Sequence, residues 1–333
     1  MELKTLCEIN GAAGDEREIR KLLLEEAKKR CPDARIDRAG NVVAFKKGNG
    51  KRHLLFCAHM DETGFIIPDA TDEGLLLLRP IGDIDPRAAV SKYVVVGEKK
   101  VKGVIGALAI HLQSAEDRKK MLKYRDLYID IGAKSKDEAL GACPRGSYAY
   151  FDNDCRPFGS GRVVGKALDD RAGCYNLLRL MEQEFPCDVT FVFSCMEQID
   201  RRGAAGAGYG TDADTVLLLD TAEAGDMGNI EEQDSLCACG GGVALSFMDR
   251  GALADRELYK ELTLLAEKEG IPCQIRQSAS GHSDAGAYQR SAAGKRACVL
   301  SVPCRYPHGP SEVIALTDLD AQYALALAYA RQF

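Results

Sequence analysis

The chain has 333 residues, 46% of them hydrophobic, and a formal net charge of −6 at pH 7. That is enough for one large or two medium domains with a sizeable core. The absence of a long basic run argues against nucleic acid as a partner, and no apolar window approaches the roughly 20 residues that span a bilayer. The 13 cysteines are scattered and form no Cys-x-x-Cys pair. With a start, Met1 to Thr5, that lacks an apolar signal core, they point to a reducing cytoplasm and to thiols used as small hydrophobes.

The first pattern, Gly14 to Ala27, reads as a surface helix with Ile19, Leu22, Leu23 and Ala27 on one face. Arg35 to Asp37 and Asn41 to Phe45 read as a hairpin about Ala39-Gly40, followed by a polar turn over Lys46 to Arg52. His53 to His59 is a continuous apolar run, expected as a buried strand. From Phe65 the texture changes to short β-like runs separated by turns. This predicts an inserted, mostly β domain with one polar helical piece near Ala115 to Lys123 and a structural His111. The α/β pattern resumes after Gly161: a helix over Asn176 to Phe185, strands over Cys187 to Cys195, Thr215 to Leu219 and Lys295 to Val302, and helices over Ala254 to Gly270 and Asp318 to Arg331. The domain division expected is therefore 1–64, an insert 65–162, and 163–333.

Only five histidines are present, and two stand where strands end. His59 closes the first apolar run, with Asp61 spaced to orient a metal-bound imidazole. His308 lies just beyond the last strand. Glu197-Gln198 and Asp220 close two other apolar runs. Asp169-Asp170 sits at a strand-to-helix turn, where the pair suits either a helix cap or a shared metal ligand. In open α/β sheets, sites gather at the carboxyl ends of strands. Two histidines with several carboxylates form a donor set for zinc, cobalt or manganese. A shared Asp169 suits a two-metal site, and the chemistry that follows is hydrolysis with a free carboxylate as general base.

These residues carry a family resemblance. His59 to Phe65, Lys102 to Gly106 with His111-Leu112, Asp126 to Ala133, Ala167 to Arg171 and Asp220 with Ala224 to Asp226 are part of it. Met248 to Arg250, Ser283 to Ala287 and Arg305 to His308 complete it. The chain resembles the di-metal aminopeptidases that include glutamyl and deblocking aminopeptidases, some long labelled cellulases. The resemblance implies an α/β fold: a zinc-exopeptidase-like α/β/α sandwich with a mixed central sheet, interrupted by a β-barrel-like insert. It implies homo-oligomers, often tetrahedral dodecamers, acting on short peptides. It places one metal on His59, Asp169 and Asp220, and a second on Asp169, His308 and the second acid of a Glu-Glu pair. It makes Glu197 the general base, Asp61 the support of His59, and the peptide bond after Asp169 cis.

One position departs from the pattern. The second acid of the pair is Gln198, whose neutral amide is a weaker ligand, so the second metal should bind weakly or be absent. Asp200, Glu223 and His282 are the nearby groups that could compensate. Two other readings compete with the aminopeptidase: a catalytically impaired pseudo-enzyme or binding homologue, and a hydrolase of another acylated amine or a glycan. The two histidines speak against glycosidase chemistry, which needs only paired carboxylates.

Overall fold

The computed structural model of the chain describes residues 1–48, 52–228, 230, 235–277 and 280–333. The apolar runs become the middle of its larger sheet. Four strands run parallel there, in the spatial order Asp188–Ser194, His53–His59, Thr215–Glu223 and Arg296–Arg305. The antiparallel pair Arg35–Ile36 and Val42–Lys46 extends one side. Glu312–Ala315, Arg162–Gly165 and Arg156–Phe158 extend the other, also antiparallel, so the sheet is mixed. Val243–Ser246 branches off antiparallel to Arg296–Arg305 and carries Cys273–Arg276 parallel on its outer side.

Continuous burial of these strands reflects cover on both faces. Alternate residues of His53–His59 point opposite ways. Leu54, Phe56 and Ala58 meet the helices Arg17–Arg30, Leu168–Leu180, Arg256–Glu269 and Leu316–Gln332. Leu55 and Cys57 meet Arg202–Tyr209 and Ala285–Gln289 on the other face. The result is the expected α/β/α sandwich. Twelve of the 13 cysteines are buried, and all are free thiols.

The second sheet has seven strands, from Gly64–Ile66 to Tyr148–Phe151, with its own core around Phe65, Ile105 and Phe151. Its two terminal strands, Leu76–Leu77 and Arg79–Ile81, are separated in sequence only by Leu78. The sheet must curl to bring those ends together, giving a nearly closed barrel. Strand Arg156–Phe158 pairs into the larger sheet rather than this one.

Several element ends differ from expectation. The first long helix is Arg17–Arg30, and a short helix, Leu3–Glu8, precedes it. The helix expected over Asn176 to Phe185 is Leu168–Leu180; Pro186 bars helix at the residue before it. The small sheet also carries a helix, Lys136–Ala142, capped by the Ser135 hydroxyl, which accepts from the Glu138 N–H. His111 is not a packed structural residue but lies exposed on the short turn Ile110–Leu112. Part of the polar turn over 46–52 lies outside the described residues. Among the described residues no helix is long and apolar enough to cross a membrane.

Candidate metal centre

Parallel strands in register deliver their last residues to one edge, and the centre is assembled there. His59 is level with Ser194, and Asp220 is level with Ser301. Asp169 enters from the first turn of the Leu168–Leu180 helix, where Asp169 and Asp170 depart from helical dihedrals. The Asp169–Asp170 peptide is cis, as the resemblance implied.

Ligand atoms of His59, Asp169 and Asp220 lie within 4.8 Å of one another. His59 Nε2 is 3.3 Å from Asp169 Oδ1 and 3.9 Å from Asp220 Oδ1. The other Asp169 oxygen, Oδ2, faces His308 Nε2 at 3.2 Å. Asp169 therefore stands between the two histidines with one oxygen toward each, the arrangement a shared ligand requires.

Each imidazole is oriented by a backbone carbonyl at its other nitrogen, the usual device behind a metal-bound histidine. His59 Nδ1 bonds the Asp61 carbonyl at 3.1 Å, and His308 Nδ1 bonds the Asp83 carbonyl at 2.9 Å. This corrects the role expected for the Asp61 side chain, whose carboxylate is 3.7 Å from His59 Nδ1, too far for a hydrogen bond. That carboxylate instead accepts the backbone N–H of Glu197 and of Gln198, each at 3.0 Å, and so fixes the peptide carrying both.

Asp170 holds the geometry of the turn. It meets neither Arg171 nor solvent. Fully buried, it accepts the backbone N–H of His59 at 3.2 Å and of Gly173 at 2.9 Å. It ties the metal-side helix turn to the strand end.

Sequence reasoning missed three supporting residues. Glu312 accepts from the backbone N–H of Asp169 and of His308, both at 2.9 Å. Thr221 Oγ1 donates to Asp169 Oδ1 at 2.8 Å. Asp83 acts through its main chain, which leaves no side-chain signature. Glu312 could have been flagged as an acid in the buried strand Glu312–Ala315.

The electrostatics follow from burial. Desolvation pushes Asp220 up to about 7, Glu312 up to about 8 and Asp61 up to about 6, and raises Glu197 well above the carboxylate range. Burial opposes charge on Asp169 too, but its bonds to His308 and His59 hold it well below the usual range. The centre thus holds more buried acid than nearby cation can neutralise, the environment that a divalent ion completes.

The three groups that could compensate for Gln198 line the same cavity as it does. Asp200 is exposed and paired with Arg201 at 2.9 Å. Glu223 and His282 are exposed residues on the lining of the surrounding cavity. The Gln198 side chain lies against Gly82, where a Cβ would stand 2.9 Å from its Oε1.

A model of the M42 glutamyl aminopeptidase family matches residues 40–325. A putative aminopeptidase of Acetivibrio thermocellus is 34% identical over 322 residues, covering 96% of this chain and 94% of that protein. The TET aminopeptidase of the marine sediment archaeon Thaumarchaeota archaeon SCGC AB-539-E09 superposes with a TM-score of 0.95 at 29% identity, covering 99% and 95% of the two chains. A structure of the Pyrococcus horikoshii TET1 peptidase, described as able to assemble into a tetrahedron or a large octahedral shell, gives a TM-score of 0.87 at 33% identity, with 99% and 98% covered. With fold, strand-end constellation and family model in agreement over most of its length, the chain belongs to the M42 glutamyl aminopeptidase family and is a peptide hydrolase.

Proposed function

We propose that the chain is a divalent-metal aminopeptidase that removes N-terminal residues from short peptides. The observation that carries this reading is the buried convergence of His59, Asp169 and Asp220 within 4.8 Å, beside a cavity of about 1130 Å³. Imidazole nitrogen and carboxylate oxygen suit zinc, cobalt or manganese. His59, Asp169 and Asp220 would hold one ion. Asp169, His308 and Gln198 would hold the other.

When bound, the ions supply Lewis acidity toward the scissile carbonyl and acidify the attacking water. Glu197 takes a proton from that water at its carboxylate and returns it to the leaving amine. Its burial favours holding the proton between those steps. Asp61 keeps the Glu197 peptide in place, and the Asp83 carbonyl keeps the His308 ring in place.

Gln198 supports a second reading, a catalytically impaired homologue with a weak second site. A Glu there would set three carboxylates against two divalent ions; Gln198 leaves two against the same charge. The tests separate these readings. Elemental analysis of Gln198→Glu should show the second ion held at least tenfold more tightly than in the wild type. Turnover of an aminoacyl substrate panel in excess zinc, cobalt or manganese supports the enzyme, and inertness toward the whole panel overturns it.

The same reading takes 1–64 and 163–333 as the catalytic unit and 65–162 as an insert serving self-association. The protein would then be a homo-oligomer, such as a dodecamer, in the cytoplasm.

A further inference from the structure

Two turns bring His59 and Asp169 together. One, His59-Met60-Asp61-Glu62, closes the strand His53–His59; the other runs from Lys166 through Asp169 to Arg171. Lys166 and Arg171 thus bracket Asp169. Among the described residues they are the only buried lysine and arginine, 3% and 0% exposed.

Both cations converge on Glu62, itself buried. Lys166 Nζ donates to its two carboxylate oxygens at 2.8 and 2.7 Å, and Arg171 Nη2 lies 3.8 Å from Oε1. Arg171 Nε also donates to the Met60 carbonyl at 2.8 Å, and its Nη1 donates to the carbonyls of Leu6 and Ile9. Glu62 Oε1 accepts the Gly11 N–H at 2.9 Å. None of these three charged side chains lines the cavity, so they meet neither substrate nor metal.

As a source of stability alone, a buried ion pair is a poor device. Desolvation offsets most of its attraction, and neutral groups of similar volume often serve as well. What it does supply is a fixed reach between two chain segments. Here the segments are the two turns whose separation sets the 3.3 Å between His59 Nε2 and Asp169 Oδ1. Asp170 ties those turns at the His59 N–H, at the strand end. The Lys166–Glu62 pair braces the opposite end of the His59 turn.

We propose that Glu62 is a positioning residue of the metal centre. Held by Lys166 and Arg171, its carboxylate fixes the span between His59 and Asp169 and so presets the site of the ion that these residues share with Asp220. The role rests on the metal-dependent reading above.

The decisive variant is Glu62→Gln/Lys166→Met. One negative and one positive charge leave together, so the net charge of the cluster is unchanged, and the amide oxygen can still accept the Gly11 N–H. Lys166→Met alone should lower the Tm, because it strands a buried carboxylate; the double variant should return to within about 3 °C of wild type. Cobalt(II) titration of the full chain, followed by visible absorption, then reads the centre itself. It is run at a temperature where circular dichroism shows each variant folded. The double variant should bind its first cobalt ion about tenfold more weakly than wild type, the usual scale for lost outer-shell support, with an altered d–d spectrum. Wild-type affinity and spectrum in the folded double variant overturn the positioning role.

Should the double variant not fold, Glu62→Asp replaces it, since it keeps every charge and shortens the reach by one methylene. Weaker binding of the first cobalt supports the role, and unchanged binding overturns it. Turnover of leucyl p-nitroanilide judges the aminopeptidase reading separately. A wild type that binds cobalt but is inert fails that reading and leaves the Glu62 comparison standing.

Discussion

Glu197 is buried, and its backbone N–H is held by Asp61 at 3.0 Å, so its carboxylate can be neutralised without releasing the loop. Glu197→Gln should lower kcat by about 10²–10⁴-fold, the usual range for a lost general base, while elemental analysis finds the same metal content as in the wild type. A second residue-scale prediction concerns Asp226 and Arg305, joined at 2.8 and 2.6 Å through both carboxylate oxygens. The Arg305 guanidinium holds Asp226 below the usual carboxylate range. A depressed folded pKa gives stability that is present above the unfolded value, about 3.9, and lost as pH falls through the folded one. Asp226→Asn should therefore cost about 1–2 kcal/mol at pH 7, and the Tm gap to wild type should close toward pH 3. A gap of constant size would rule out the ion pair as its source. The residues legible in the sequence were those whose side chains end apolar runs, such as His59 and Asp220. The Asp61 carboxylate was misassigned because it serves backbone N–H groups, and residue type alone does not say which groups an acid will meet.

Between elements, the loop after strand Arg79–Ile81 carries the small sheet to the centre. Gly82 has φ +81°, and a Cβ there would lie 2.8 Å from Thr63 Cγ2 and 2.9 Å from Gln198 Oε1. The next residue supplies the carbonyl that orients His308. Gly82→Ala should thus cost about 1–3 kcal/mol through backbone strain, measured by urea denaturation. Metal titration should show the loss of affinity falling on the His308 ion more than on the His59 ion; equal loss would mean that the loop does not orient His308. The strands of the large sheet were readable because unbroken apolar runs leave few alternatives. Lys136–Ala142 was missed although its cap, Ser135 with Glu138, is spelled out in the chain, since the surrounding β texture outweighed a short helical signal. The approach of Gly82 to Gln198 was illegible for another reason: it joins residues from two different sheets, and no local pattern encodes such a distance.

At the scale of the whole molecule, two cores are built from one chain, the larger around the four parallel strands and the smaller within the curled sheet. The texture change at Phe65 lies where the smaller core begins, whereas the cavity wall formed by Ser246, Ser301 and Arg276 depends on strand pairing that hydrophobic periodicity does not reveal. Cysteines lie in both cores. Burial pushes Cys298 up to about 12 and raises Cys57 and Cys174 above the usual thiol range, so these thiols are inert while the fold is closed. Only Cys273 is half-buried, against twelve buried thiols. A disulfide-exchange reagent should therefore modify one thiol quickly in native protein and the rest at the rate of opening; rapid reaction of several would contradict the packing. Since Cys143 sits in the smaller core and Cys174 in the larger, peptide-resolved labelling turns the chain into two independent clocks, one timing each body as it comes apart.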